Sequence, residues 1–112
     1  MQRIWRALLY SLAGFKAAWR DEPAFREEIM LAIILVPLAF FVAPNAIALV
    51  LMVGSVLLVL ALELLNTAVE ATVNRIGLQR DDLAKKAKDT ASAAVLIGLL
   101  NVSFTWCVLL WW

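Results

Sequence analysis

The stretch from Glu63 to Gly77 reads Glu-Leu-Leu-Asn-Thr-Ala-Val-Glu-Ala-Thr-Val-Asn-Arg-Ile-Gly and directly follows a long apolar run. At about 100° per residue on a helix, its polar side chains recur on one face. This polar stripe consists of Glu63, Asn66, Glu70 and Asn74. It contains no cation, since the first basic residue is Arg75. Carboxylates and amides without a cation suit a hard metal ion, so the stretch predicts a helix that leaves a membrane with a metal-binding face.

The composition is that of an integral membrane protein. Of the 112 residues, 64% are hydrophobic, whereas soluble domains contain roughly 45–50% apolar residues. The length allows one domain, residues 1–112. With no His, four Gly and one Cys, the chain has no glycine-rich phosphate loop and no cysteine metal site. We expect no nucleic-acid partner.

The first half of the chain predicts a surface helix and a first membrane span. Residues 3–20 form an amphipathic basic helix with Trp, a type that lies on anionic membrane surfaces. A signal peptide is the alternative, which Arg6 disfavours because it interrupts the apolar core. Span one covers about residues 25–43, after the helix-start signal Asp21-Glu22-Pro23. The break at Pro44-Asn45 predicts a tight hairpin turn.

The second half predicts two further spans in longer helices. Span two covers about residues 46–62, and its helix continues through the polar stripe to about residue 76, where Gly77 ends it. The last helix covers about residues 82–112. Span three begins near residue 90, because no charged residue follows; this final stretch is ~34 Å long, enough to cross a membrane.

The positions of the charges predict the topology. All ten cations lie before span one or between spans two and three. The positive-inside rule therefore places the N-terminus in the cytoplasm and the C-terminus outside. The nine acids lie on the same side as the cations. We expect an integral membrane protein whose chemistry takes place at the cytoplasmic face.

Two carboxylates of the polar stripe suggest different roles. Glu63 and Glu70 are ~10 Å apart along the helix axis, too far to share a proton. The deeper Glu63 suits a general base, and Glu70 suits a divalent metal. Alternatively, the stripe is only a solvated extension of the span. Glu22 would complete the metal site from another helix, although spacing alone favours a charge that complements the helix dipole.

Phosphate groups would need cations or a metal to hold them, because the chain lacks a phosphate-binding loop. Lys88 and Arg3 are the candidates; the alternative is that both only follow the membrane topology. Three short spans provide little surface to enclose a pocket, so we expect a homo-oligomer with sites between protomers. Ala94 and Gly98 provide a small-residue contact for close helix packing.

Several motifs resemble those of the prokaryotic integral-membrane diacylglycerol kinases, and together they cover nearly the whole chain. Residues Glu63 to Ala71, followed by Asn74 to Gly77, resemble the signature E-[IL]-[IL]-N-[ST]-A-[IV]-E-A with D-R-I-G after it. Residues Ala87 to Leu96 resemble A-K-D-x-x-S-A-A-V-L. The segment from Ala17 to Glu28 resembles the amphipathic-helix region. The tail from Thr105 to Trp111 resembles the branch that phosphorylates diacylglycerol.

The resemblance implies a homotrimer of three-span protomers that transfers the γ-phosphate of Mg-ATP to diacylglycerol and forms phosphatidate. It makes Glu63 the general base, with Asn66 supporting the catalytic centre, and it makes Glu22 and Glu70 the ligands of Mg²⁺. The ATP contacts that it implies are Tyr10, Glu22, Glu70, Gln79, Arg80, Asp81, Lys88 and Asp89. The lipid contacts that it implies are Arg3, Ser11, Trp19, Phe25, Glu28, Glu63, Ser92 and Trp106.

Two positions depart from the family pattern: Asn74 replaces the usual Asp, and Ala91 replaces a frequent Gly. Undecaprenol kinases share the acidic residues of the stripe and the Ala-Lys-Asp segment, and they are the nearest alternative. The Ser-Ala-Ala run and the Trp-Cys tail favour diacylglycerol. A small oligomeric transporter or a non-catalytic assembly subunit is the alternative from another class. Transport is disfavoured because every charge lies at one interface.

Overall fold

The protein is a bundle of α-helices, and a computed structural model describes residues 1–77 and 81–112. The helices are α1 Gln2–Asp21, α2 Pro23–Val42, α3 Ala46–Ile76 and α4 Asp82–Trp111. Each helix end lies within two residues of the end that the sequence predicts. No strand occurs in the described part of the chain, so the all-helical prediction is confirmed there.

Arg26 ties the end of α1 to the start of α2. Glu22 is extended between the two helices, and Pro23 occupies the first turn of α2, where its missing N–H is not needed. Arg26 Nη1 donates to the carbonyl oxygens of Trp19 at 2.7 Å and of Arg20 at 3.1 Å. These carbonyls belong to the last turn of α1 and have no partner within their own helix. The joint therefore holds Glu22 at the entry to α2.

An aromatic pair packs beside the same joint. The rings of Phe15 and Phe25 are stacked, with centroids 6.5 Å apart and 26° between their planes. Phe25 is only 1% exposed, so within the protomer it acts as a core residue that holds α1 against α2. Its implied contact with lipid stays a prediction.

Helix α3 is the central element, because it packs against both α2 and α4. It begins after the turn at residues 43–45, where the Asn45 side chain accepts a hydrogen bond from Ala48 N at 2.8 Å. Its buried side chains recur mostly at intervals of three and four, as one side of a helix requires. They are Ala48, Met52, Ser55, Val56, Val59 and Glu63. Glu63 is thus an acid at the end of an otherwise uncharged buried face.

Helix α4 approaches α3 closely at Gly98. A Cβ atom at this position would lie 2.7 Å from Leu62 Cδ1. Further along, Trp106 Nε1 donates to the Met52 carbonyl oxygen at 3.1 Å, and Ser55 Oγ donates to the same oxygen at 2.7 Å. Gly98, which the sequence predicts to permit close helix packing, therefore lies at the contact between α3 and α4 of one protomer.

Enlarging Gly98 should loosen the contact between α3 and α4. We expect Gly98→Leu to lower the free energy of unfolding by about 1–3 kcal/mol, because the added side chain overpacks the interface. Gly98→Ala should be nearly neutral, since the Leu62 terminal methyl group can rotate away. Unfolding in detergent with increasing denaturant, followed by circular dichroism, measures both. The matched control is Gly54→Leu, because nothing lies within 4 Å of a Cβ atom there; an equal loss in that variant would contradict the prediction.

Within residues 1–77 and 81–112, two helices, α3 and α4, are long and apolar enough to cross a membrane. Helix α2 carries Arg26, Glu27 and Glu28 near its start, and its uncharged run covers the fourteen residues 29–42. This helical run is ~21 Å long, shorter than a ~30 Å hydrocarbon core. Large hydrophobic side chains are nevertheless exposed along α2, for example Phe41. Such a surface suits contact with lipid or with another protomer.

Candidate functional site

Four carboxylates lie near one another at the buried end of the polar stripe. Glu63 lies close enough to Glu28 and Glu70 for their charges to act on one another, and Glu22 lies close to Glu63 and Glu70. We call these four residues the carboxylate cluster. Glu22 and Glu28 reach it because α1 and α2 both pack against α3. The structure therefore brings together the predicted base and both predicted metal ligands.

No ion pair neutralises the carboxylate cluster within the part of the chain that the structure describes. The ion pairs there are Arg20 with Asp21 at 2.9 Å and Lys85 with Asp89 at 2.6 Å. Both are exposed, and neither includes a member of the cluster. Like charges held close together repel, so a counter-ion or a proton must stabilise this arrangement.

The electrostatic effect is clearest at Glu22, which lies in the joint between α1 and α2. Burial raises the pKa of Glu22, and the charges of Glu70, Glu63 and Asp21 raise it further. Glu22 and Glu70 are also within hydrogen-bonding reach when Glu22 is protonated, which acts in the same direction. A cation at this site would have the opposite effect, because it favours the charged carboxylates.

Three buried oxygen atoms of this site have no hydrogen-bond partner among the described residues. They are Glu28 Oε2, Glu63 Oε2 and Asn66 Oδ1. Glu63 is only 5% exposed. A buried polar atom without a partner is costly, and native proteins keep few of them. Three such acceptors on two adjacent helices point to a ligand that donates hydrogen bonds or carries positive charge.

The Asn66 side chain is oriented by its neighbour on the polar stripe. Asn66 Nδ2 donates to Glu70 Oε1 at 3.3 Å, one helical turn further along α3. This bond uses the donor side of the amide, so Asn66 Oδ1 is left as an acceptor for another group. It also orients the Glu70 carboxylate. The support of the catalytic centre by Asn66, which the resemblance implies, stays a prediction.

The donor set fits a divalent cation such as Mg²⁺. Its atoms are carboxylate and amide oxygens, the hard ligands that this ion prefers. Within the described residues, no three acidic side chains converge closely enough to hold a metal by themselves. That is compatible with Mg²⁺, which is usually held by one or two carboxylates together with water and substrate phosphates. Glu22 and Glu70, the two predicted ligands, lie close enough for Glu70 to raise the pKa of Glu22.

The cationic side of the site lies at the start of α4. Asp81 caps this helix, since its carboxylate accepts from Ala84 N at 2.7 Å. Lys88 Nζ donates to Asn74 Oδ1 at 2.7 Å, which links α4 to the polar stripe. Asp89 pairs with Lys85. Of the other implied ATP contacts, Tyr10 is exposed on α1, and Gln79 and Arg80 lie outside the described residues.

The implied lipid contacts do not form one group in the protomer. Arg3, Ser11 and Trp19 are exposed on α1, and Ser92 lines a groove on α4. Trp106 contacts Met52, which is ~16 Å from Glu63 along α3. Glu28 and Glu63 are the exceptions, because both belong to the carboxylate cluster.

The sequence analysis missed two features of this site, the proximity of Glu28 to Glu63 and the hydrogen bond between Asn74 and Lys88. The first had a readable signal. Glu28 is the last charged residue before the hairpin at residues 43–45, and Glu63 is the first one after it. Two antiparallel helices joined by a tight turn place such residues at similar depth. The second contact had no comparable signal, because it depends on how α4 packs on α3.

Comparisons with known proteins identify the family. The family model described as "Prokaryotic diacylglycerol kinase" matches residues 9–110. The chain is 54% identical over 97 residues to "Diacylglycerol kinase" of Haemophilus influenzae, covering 87% of this chain and 82% of that protein. It is 46% identical over 109 residues to "Diacylglycerol kinase" of Escherichia coli K12, covering 97% and 89%.

The similarity extends to relatives of lower identity. The protein named "Diacylglycerol kinase" of Helicobacter pylori J99 is 39% identical over 105 residues, covering 94% of this chain and 82% of that protein. The match includes the carboxylate cluster and the start of α4, so it covers the candidate site as well as the fold. The chain belongs to the prokaryotic diacylglycerol kinase family.

Proposed function

We propose that the protein is an ATP-dependent lipid kinase, which transfers the γ-phosphate of ATP to the free hydroxyl group of diacylglycerol and forms phosphatidate. The observation that carries the proposal is the unpartnered, buried Oε2 atom of Glu63 within the carboxylate cluster. A lipid hydroxyl group is a hydrogen-bond donor that would satisfy this acceptor. Family membership and the names of the relatives support the same reaction.

In the proposed mechanism, Glu63 accepts the proton of the lipid hydroxyl as the hydroxyl oxygen attacks the γ-phosphorus. The bond between the γ-phosphorus and the oxygen shared with the β-phosphate breaks, and ADP leaves. Asn66 holds the Glu70 carboxylate by the hydrogen bond of 3.3 Å. Glu22 and Glu70 would hold Mg²⁺, which when bound neutralises part of the phosphate charge. The packed helices around Glu63 keep water away from the reacting hydroxyl.

The remaining contacts belong to the proposal as the resemblance implies them. ATP would be held by side chains of α1, the loop after α3 and the start of α4: Tyr10, Glu22, Glu70, Gln79, Arg80, Asp81, Lys88 and Asp89. The lipid would be bordered by Arg3, Ser11, Trp19, Phe25, Glu28, Ser92 and Trp106. Lys88 is the cation with the clearest route to the phosphates, because it is anchored at the polar stripe.

The proposal places α1 on the cytoplasmic surface of the bacterial inner membrane and gives each protomer three spans. The tight turn at residues 43–45 supports a return of the chain across the membrane between α2 and α3. We further propose a homotrimer with sites shared between protomers. The scattered positions of the lipid contacts support this arrangement, because a single protomer does not gather them around Glu63.

Lipid-dependent consumption of ATP tests the proposal. The purified protein in detergent should turn over ATP with Mg²⁺ when diacylglycerol is added. It should do so far more slowly with undecaprenol or with glycerol, a soluble alcohol. Turnover with undecaprenol alone would keep the mechanism and replace the substrate. Absence of lipid-dependent turnover with all three acceptors would refute the kinase proposal.

A further inference from the structure

Lys88 is held by a neutral partner. Its Nζ donates to Asn74 Oδ1 at 2.7 Å, a contact between side chains of α4 and α3. Asn74 is the last member of the polar stripe and lies one turn, ~6 Å along the axis, beyond Glu70. The ammonium group is therefore anchored at the end of the stripe, next to the turn that carries Glu70.

The neighbouring groups leave the charge of Lys88 uncompensated. Asp89, the carboxylate next to it in sequence, pairs with Lys85 at 2.6 Å. Among residues 1–77 and 81–112, no carboxylate lies within ion-pairing distance of Lys88 Nζ. The amide oxygen of Asn74 accepts a hydrogen bond but carries no net charge. An Asp at this position would keep the bond and also neutralise the cation.

We infer that Asn74 is a positioning residue, which holds the Lys88 ammonium group at the nucleotide end of the polar stripe and leaves its full charge for the nucleotide phosphates. The inference rests on the proposed function, because it takes Lys88 as a contact of ATP. It gives a physical meaning to the departure of this chain from the family pattern, in which Asp is usual at this position.

The test is the KM for Mg-ATP in a variant that changes only the charge at position 74, the partner of Lys88. Asn74→Asp should raise that KM about fivefold to tenfold, because a new carboxylate pairs with Lys88 and repels the phosphates. The kcat should stay within about twofold. Added salt should reduce the difference from wild type, since it screens exposed charges. Asn74→Leu removes the hydrogen bond without adding charge, so its smaller rise in KM should not depend on salt.

Thr72→Asp is the matched control. It adds the same charge to the same helix, two residues away and therefore on the opposite face. Thr72 is exposed, and its hydroxyl group donates only to the Ala68 carbonyl oxygen. The KM for Mg-ATP should be unchanged in this variant. An equal rise there would show that added negative charge, rather than its position at Lys88, causes the effect, and would overturn the inference.

A double-mutant comparison tests whether Asn74 acts through Lys88. In a Lys88→Met background, Asn74→Asp should change nucleotide affinity by less than about twofold, because the group on which it acts is gone. Equilibrium binding of a fluorescent ATP analogue measures this where turnover is low. A full effect in that background, or an unchanged KM in Asn74→Asp itself, would overturn the inference. Either result, with normal wild-type turnover on diacylglycerol, would leave the proposed kinase function intact.

Discussion

Glu63→Gln should abolish turnover while leaving the protein at least as stable as wild type. The substitution keeps the shape of the side chain but removes the base, so we expect kcat to fall by about 10²- to 10⁴-fold. The KM values for ATP and diacylglycerol should change little. The free energy of unfolding should stay unchanged or rise. Glu63 is a buried acid with an unpartnered oxygen, whereas the amide group of the introduced Gln carries no charge. Steady-state kinetics and denaturant unfolding measure the two effects.

Glu27→Gln is the control, since it removes one negative charge from an exposed position of α2. Its turnover should stay within about twofold of wild type. Glu28→Gln distinguishes the role of Glu28 from that of Glu63, its neighbour in the carboxylate cluster. Normal turnover in Glu63→Gln with lost turnover in Glu28→Gln would transfer the role of base to Glu28. Loss of folding in Glu63→Gln would mean that the buried acid has a structural role instead.

Local signals predict the helices of this protein well. The turn at residues 43–45 follows from Pro44 and Asn45, whose side chain caps α3, and Asp81 caps α4 in the same way. Residues Glu63, Asn66 and Glu70 share a face because helical periodicity alone requires it. These features depend on neighbours within four residues, so the sequence carries them without knowledge of the packing.

The contacts between helices could not be predicted in this way. The sequence indicates only that Arg26 is one of the cations on the cytoplasmic side. In the structure, its side chain donates to two carbonyl oxygens of α1. The stacking of the buried Phe25 ring on Phe15 depends on how α2 packs against α1. The partner of Lys88 depends on the rotation of α4 about its axis, which no local pattern determines. Helical periodicity identifies the face of a residue but does not identify the facing helix.

Glu70→Gln should weaken the affinity of the site for its metal more than any exposed substitution does. Glu70 lies beside Glu22 and receives a hydrogen bond from Asn66 Nδ2 at 3.3 Å. Removing its charge takes away one of two proposed ligands and the acceptor that orients Asn66. We expect the half-saturating Mg²⁺ concentration to rise at least tenfold, and kcat/KM to fall about 10²-fold or more. Titration of activity with Mg²⁺ measures both.

Two further measurements distinguish loss of a ligand from general damage to the site. Mn²⁺ binding in the presence of ATP, followed by electron paramagnetic resonance, should weaken in Glu70→Gln and remain normal in Asp82→Asn, which removes an exposed acid from the start of α4. In wild type, the half-saturating Mg²⁺ concentration should rise as the pH falls toward the raised pKa of Glu22, since protons then compete with the metal for this carboxylate. Normal Mn²⁺ binding by Glu70→Gln would contradict its role as a ligand. Weak Mn²⁺ binding by Glu70→Gln, together with a half-saturating Mg²⁺ concentration in wild type that does not depend on pH, would assign the metal to Glu70 without Glu22. A metal held by both carboxylates has to displace the proton that their proximity favours, so its binding would depend on pH.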